Sequence, residues 1–336
     1  MSYIIAIGLY LVLLMVYGLV IAHKKVKTTD DMMTGGHKIP FIILVGSLLA
    51  TWCGGGGITG SAGVVYSGGP WVGVLTFAAP PIGIILLYFI AGKVRKSNKL
   101  TVPEIMGARY GTAASIISAL CVMLAYVGVL ATQLKAAANI LVLLCHSSGI
   151  EISHGVALAI CTVIIVIITV GGGLVSVAYS DAVSALIMIG GFFLAIPILM
   201  RAASAQGAVL PAEKTTFTGG MSGWTLLGYF LPSLALMLGD QNMLQRFASA
   251  KNSDEAKKSN IGMFIGEIMV IASIVAVATQ AAKLYPALDT PSNVIFQVAV
   301  DYLPMVFGAL VMCACMAFIV TTADSYLLSS ATNLTN

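Results

Sequence analysis

Apolar residues run along this chain in blocks of about 20, the length a helix needs to cross the hydrocarbon core of a bilayer, and short polar stretches between them hold most of the charge. The pattern predicts nine membrane-crossing segments near 3–22, 40–66, 71–92, 113–145, 154–170, 174–200, 223–245, 260–283 and 302–331. The first, Tyr3 to Ala22, has no positive region before it and no small-residue cleavage site after it, so it reads as a span and not a signal peptide. The fold class expected is all-α, a polytopic membrane protein.

Two of these blocks are interrupted. The second passes through Ala50-Thr51-Trp52-Cys53 into Gly54-Gly55-Gly56-Gly57. Four interior glycines disfavour helix by roughly 3–4 kcal/mol against alanine. The seventh carries Pro232 and then Gly239-Asp240-Gln241-Asn242 where apolar residues should continue. Backbone freed inside hydrocarbon survives only where protein or a water-filled cavity receives it. Broken spans five apart in chain order are the pattern of a five-helix unit repeated with inverted topology, with the binding site at the interruptions. Glycines also serve close helix packing, and Gly56 and Gly60 are spaced for that, but the series stops at Val64. No strand precedes Gly54–Gly60, which removes a dinucleotide-binding reading.

Composition agrees with the periodicity: 59% of residues are hydrophobic and 9% charged, against about 25% charged in soluble domains. The net charge of +4 does not point to nucleic acid, because of where it sits. When the loops are numbered alternately, one set holds thirteen Lys and Arg and the other holds only Arg201, Lys214 and Lys283. Such a bias marks the cytoplasmic side, which places the N-terminus outside, in a cell (cytoplasmic or inner) membrane. Six cysteines without a CxxC pair support neither a disulfide framework nor a zinc site.

Ionisable residues within spans are functional candidates because each is costly to insert. They are Lys135, Asp181, Asp240, Glu267 and Asp324. Glu267 lies near a helix start and Asp324 near a span end, where solvation also explains them. Lys135 either attracts an anion or snorkels its ammonium to the surface. Asp240, with Gln241 and Asn242 at the break, forms a polar cluster suited to a polar or cationic solute. In the last span Thr321, Ser325 and Ser329 recur every fourth residue and share a face, with Thr322 beside the first. Hydroxyls there replace the water shell of a hard cation, or bond back to the preceding turn; spacing does not choose between them. No nucleophile–base arrangement is visible, so no enzyme is expected.

Several motifs resemble the sodium:solute symporter family, across essentially the whole chain. Gly46-Ser47-Leu48-Leu49-Ala50-Thr51-Trp52 with its glycine run is similar to the family's first broken helix, nearest in motif to the choline-transporter branch. Gly171 to Asp181, Gln245-Arg246 and Thr321-Thr322-Ala323-Asp324-Ser325 are similar to three further signatures. The resemblance implies a LeuT-type inverted-repeat core with one extra N-terminal helix. Residues 1–39 form that peripheral helix and a cytoplasmic loop, 40–200 the first repeat, and 223–336 three helices of an incomplete second repeat. It implies sodium as coupling ion, with no organic cofactor, on the hydroxyls of Thr321 and Thr322 and the carbonyls of Ala50, Cys53 and Phe318. Asp181 falls beside the sodium exit route. Solute is expected around Trp52, Gly54, Gly57, Tyr126, Asp240 and Gln241. Trp52 matches a cation-binding aromatic of the choline transporters, but a second one falls on Asp240, so a complete aromatic cage is not implied. The function implied is a sodium-coupled secondary active symporter that imports a small polar organic solute by alternating access. The alternative is a truncated or non-transporting sensor or assembly protein on a transporter fold.

Overall fold

The computed structural model describes residues 2–28, 35–97, 99–170 and 173–335; Gly171, Gly172 and Asn336 lie outside them. The described residues form fourteen α-helices. They are α1 (Ser2–Lys25), α2 (Phe41–Trp52), α3 (Ser61–Gly68), α4 (Pro70–Thr76), α5 (Ala79–Ser97), α6 (Val102–Tyr110) and α7 (Thr112–Ser147). After these come α8 (His154–Val170), α9 (Gly173–Ala205), α10 (Gly223–Gly239), α11 (Gln241–Ala248), α12 (Ser253–Leu284), α13 (Val294–Asp301) and α14 (Met305–Thr335).

Six helices are long and apolar enough to cross a membrane, and a bent pair, Phe41–Trp52 with Gly56–Gly68, makes a seventh. Of the other two segments expected to span, α8 is apolar but short, and the span predicted over 223–245 is divided into α10 and α11 at Asp240. Polarity is arranged for lipid. Ile5, Leu13, Ile117, Leu124, Leu186 and Val306 face outward, whereas Gln241, Asn242 and Arg246 are completely buried. That inverts the usual soluble arrangement, in which charged side chains are almost never enclosed unless paired.

Helix starts outside the apolar blocks are written in the sequence. Thr101 accepts from the Glu104 amide, and the Glu104 carboxylate accepts in return from the amide of Leu100, so α6 begins on reciprocal side-chain caps. Asn252 caps α12 by accepting from Glu255 N–H. The middle of the molecule is built on α9, which packs against α2 and α14, and on α12, which packs against α2, α3 and α5. The α2–α9 contact is close. A Cβ on Gly46 would lie 2.6 Å from the Ala182 Cα.

Gly46→Ala is therefore expected to lower stability by about 1–3 kcal/mol through overpacking. Gly190→Ala, at a position with nothing within 4 Å of the added carbon, is expected to be neutral. Thermal melts of the detergent-solubilised variants test this, and equal melting temperatures would refute the tight α2–α9 seam.

Candidate ion and solute site

The first break is where helical hydrogen bonding is redirected. In an uninterrupted helix the Ala50 carbonyl would accept from the amide of residue 54. Here the Gly54 amide turns to the Trp52 carbonyl at 2.9 Å, and the chain bends by 61° between Phe41–Trp52 and Gly56–Gly68. The freed Ala50 carbonyl accepts from the Thr322 hydroxyl of α14 at 3.0 Å. The Gly55 amide donates to Gln133 Oε1 of α7 at 2.6 Å. Glycine is needed because α7 and α14 come so near: a Cβ on Gly54 would lie 2.7 Å from Thr322 Cγ2 and 2.8 Å from Gln133 Nε2. The packing contact thus falls on Gly54 and Gly55, and not on the Gly56 and Gly60 pair that sequence spacing suggested. A Cβ on Gly60 would meet nothing within 4 Å.

Beside Thr322, the hydroxyl of Thr321 is buried and has no hydrogen-bond partner. Phe318 is completely buried one turn earlier on α14, and Cys53 closes α2. Of the five residues, Ala50 and Thr322 are in direct contact where the first break touches α14; Cys53 ends the same broken helix, and Phe318 and Thr321 precede Thr322 on α14.

Against this point lies a cavity of about 700 Å³ between α2–α3, α7, α10, α12 and α14. Trp52, Cys53, Gly54, Gly57, Gln133, Tyr229, Glu267, Thr322 and Tyr326 are among its lining residues. Thr322 and Cys53 belong both to the polar pocket and to the cavity wall. Trp52, Gly54 and Gly57 line the cavity as expected.

Tyr126, Asp240 and Gln241 do not line it. They are buried behind its wall, at the second break. Asp240 ends α10 and caps α11 by accepting from the Asn242 amide at 2.9 Å. It also accepts from the hydroxyls of Tyr126 at 2.8 Å and Tyr326 at 2.9 Å, and from Asn242 Nδ2 at 3.1 Å. The two tyrosine rings meet edge to face at 4.6 Å. Gln241 Oε1 accepts from the Val102 amide at 3.2 Å. These groups repair the break from within; they are not exposed for a ligand.

Asp181 lies below, in an ion pair with Arg246 at 3.2 Å in which both side chains are completely buried. The guanidinium also donates to Ser47 at 2.8 Å, to Ser325 at 2.7 Å and to the Asn242 carbonyl at 3.3 Å, so it joins α2, α9, α11 and α14. Arg246, counted among loop charges by sequence, is enclosed on a helix. The hydroxyl stripe of α14 divides accordingly: Ser325 serves Arg246, Ser329 bonds Asn242 and Gln245, and Thr321 alone is unpartnered. Asp324 is buried as well and accepts from Thr169 of α8. Lys135 is exposed. Sequence reasoning passed over Gln133 as a site residue, although a polar amide inside an apolar block was a usable signal, and set Glu267 aside as near a helix end.

A polytopic helical membrane protein with two broken helices bordering an internal cavity is the architecture of a carrier. The family model for the sodium:solute symporter family matches residues 32–336, and the chain belongs to that family. Members are transporters, not enzymes. High-affinity choline transporter 1 of Drosophila melanogaster is 24% identical over 98% of this chain and 55% of its own length. That of Torpedo marmorata is 26% identical over 98% and 60%, and that of Homo sapiens 24% over 90% and 55%. The chain thus spans 55–60% of the length of these relatives. A solved Na+-coupled sialic acid symporter in a substrate-bound outward-open state superposes with a TM-score of 0.80 at 17% identity, over 99% of this chain and 72% of that one. The fold is LeuT-type.

Removing one partner of a buried ion pair costs about 3–5 kcal/mol, because the other charge is left uncompensated. Arg246→Ala is expected to destabilise by that amount, and Arg246→Met combined with Asp181→Asn to recover part of it. Melting temperatures of the two variants decide; a double variant no more stable than Arg246→Ala would overturn the pairing argument.

Proposed function

We propose that this chain forms the ion- and solute-binding part of a sodium-coupled secondary active symporter that imports a small polar organic solute by alternating access. The observation that carries the reading is the position of Thr322. Its hydroxyl meets the carbonyl freed by the first break, next to the unpartnered hydroxyl of Thr321, and it also lines the cavity. Sodium takes the carbonyls of Ala50, Cys53 and Phe318 and the hydroxyls of Thr321 and Thr322. Oxygen ligands of this kind substitute for the water shell of a hard cation.

Solute binds against Trp52, Gly54 and Gly57. Tyr126, Asp240 and Gln241 hold the second break behind it. Ion and solute share Thr322 and Cys53, so each favours the conformation the other needs and raises its affinity. Rocking of the helices around the site then exposes both to the cytoplasm, with Asp181 beside the path of the leaving sodium. The Lys and Arg bias places the N-terminus of this cell-membrane protein outside.

Sodium is expected to raise the melting temperature of the purified chain relative to potassium, since a ligand of the folded state stabilises by about 2.7 kcal/mol at one hundred times its Kd. Thr321→Ala and Thr322→Ala each weaken the apparent sodium affinity about tenfold or more. An unchanged sodium titration in both variants would sink the site.

A further inference from the structure

Glu267 has no place in the ion site just described, yet it is the one carboxylate among the described residues that line the cavity, and no lysine, arginine or histidine lines it. The side chain is 3% exposed. Its Oε1 accepts from Trp52 Nε1 at 3.2 Å and its Oε2 from the Cys53 thiol at 3.1 Å. The indole nitrogen can only donate, so that contact takes up a lone pair and gives no acceptor for a carboxyl proton. An ionised carboxylate offers about four acceptor sites, of which these contacts use two. Glu267 is among the residues that line the cavity. The ion pair found among the described residues is Arg246–Asp181, so Glu267 has no fixed countercharge of its own.

A negative charge inside a membrane protein is costly unless paired. We infer that the partner is the solute: the cavity takes a small organic cation, and Glu267 is the residue that selects for its positive charge. The walls fit that occupant. Trp52, Phe77, Tyr229 and Tyr326 line the same cavity and present aromatic groups that attract an alkylammonium. Polar groups for a hydroxyl at its other end are supplied by Ser61, Thr132, Gln133 and Ser233. A cavity of about 700 Å³ lies within the usual range for small-molecule sites. The inference rests on the symporter reading for the identity of the cavity, and it adds the charge of the cargo and the residue that reads it.

Choline and ethanolamine, the uncharged choline isostere 3,3-dimethylbutan-1-ol, and zwitterionic glycine betaine form a panel that separates charge from shape. Thermal shifts of the purified full chain would be measured with each, in sodium and in potassium. At least one of the two cations is expected to stabilise the protein in sodium, with the isostere and the betaine binding about tenfold or more weaker. Glu267→Gln is expected to weaken the cation by a similar factor while the sodium titration stays as in the wild type. Should Glu267→Gln not fold, Glu267→Asp and the wild-type isostere comparison carry the same test.

Equal binding of choline and its isostere would overturn the assignment, as would a Glu267→Gln variant that binds the cation unchanged. A variant that loses sodium stabilisation and keeps the panel's ranking would mean that Glu267 balances the ion, which also overturns it. If neither cation binds while sodium still stabilises, the charge assignment fails and the symporter reading stands. If sodium acts no differently from potassium, the symporter reading fails and the choline–isostere pair alone decides on Glu267.

Discussion

A helix that stops in mid-membrane leaves amide and carbonyl groups where no water reaches them, each worth several kcal/mol if unpaired. The polar contacts at the two breaks answer to that requirement. At the first break Gln133 accepts the Gly55 amide and Thr322 donates to the Ala50 carbonyl. At the second, Asp240 accepts the Asn242 amide. The repairs come from α7 and α14, so the broken segments are held by helices distant in sequence. A carbonyl held only by a threonine hydroxyl can turn to a cation at little cost. The backbone interruption thus supplies the oxygen on which the proposed ion site is built.

The Arg246 cluster does for tertiary structure what those contacts do for the backbone. One guanidinium, with no exposed surface, engages four helices through Ser47, Asp181, Asn242 and Ser325. Its planar array of donors suits such a junction better than the compact ammonium of lysine. Asp181 Oδ1 on α9 and the Thr321 hydroxyl on α14 make no hydrogen bond to any other group at this junction.

Much of this was legible in the sequence. Apolar blocks marked the helices, and the runs Gly54–Gly57 and Gly239–Asn242 marked the neighbourhood of the breaks, although only Gly54 and Asp240 among them leave the helix and Gly56–Gly60 continue as a wider helical turn. Thr321 and Thr322 were visible because a hydroxyl pair inside an apolar block is conspicuous. What escaped depends on helix rotation and depth. Arg246 reads as a loop charge beside Gln245 and Phe247, and only tertiary structure encloses it. Asp240 and Tyr126 look like cavity groups until α10, α11 and α14 close around them. Whether Glu267 faces lipid, solvent or the cavity is fixed by the azimuth of α12, which the apolar stretch on either side of it does not encode.

The contrast between Asp240 and Glu267 shows what distinguishes a structural carboxylate from a binding one when both are buried. Asp240 receives the two tyrosine hydroxyls, a backbone amide and a side-chain amide. Three of those contacts converge on Oδ1 and one reaches Oδ2, so its charge is spread over fixed donors, and Asp240 is not among the residues that line the cavity. Glu267 receives an indole N–H and a thiol, and the thiol is a weak donor. It receives fewer donors than Asp240 and is among the residues that line the cavity. The number of fixed donors, together with a place on the cavity wall, separates the two acids better than their presence within a span. By that criterion the acid proposed to meet a ligand lies on α12, away from the second break at which the sequence directs attention.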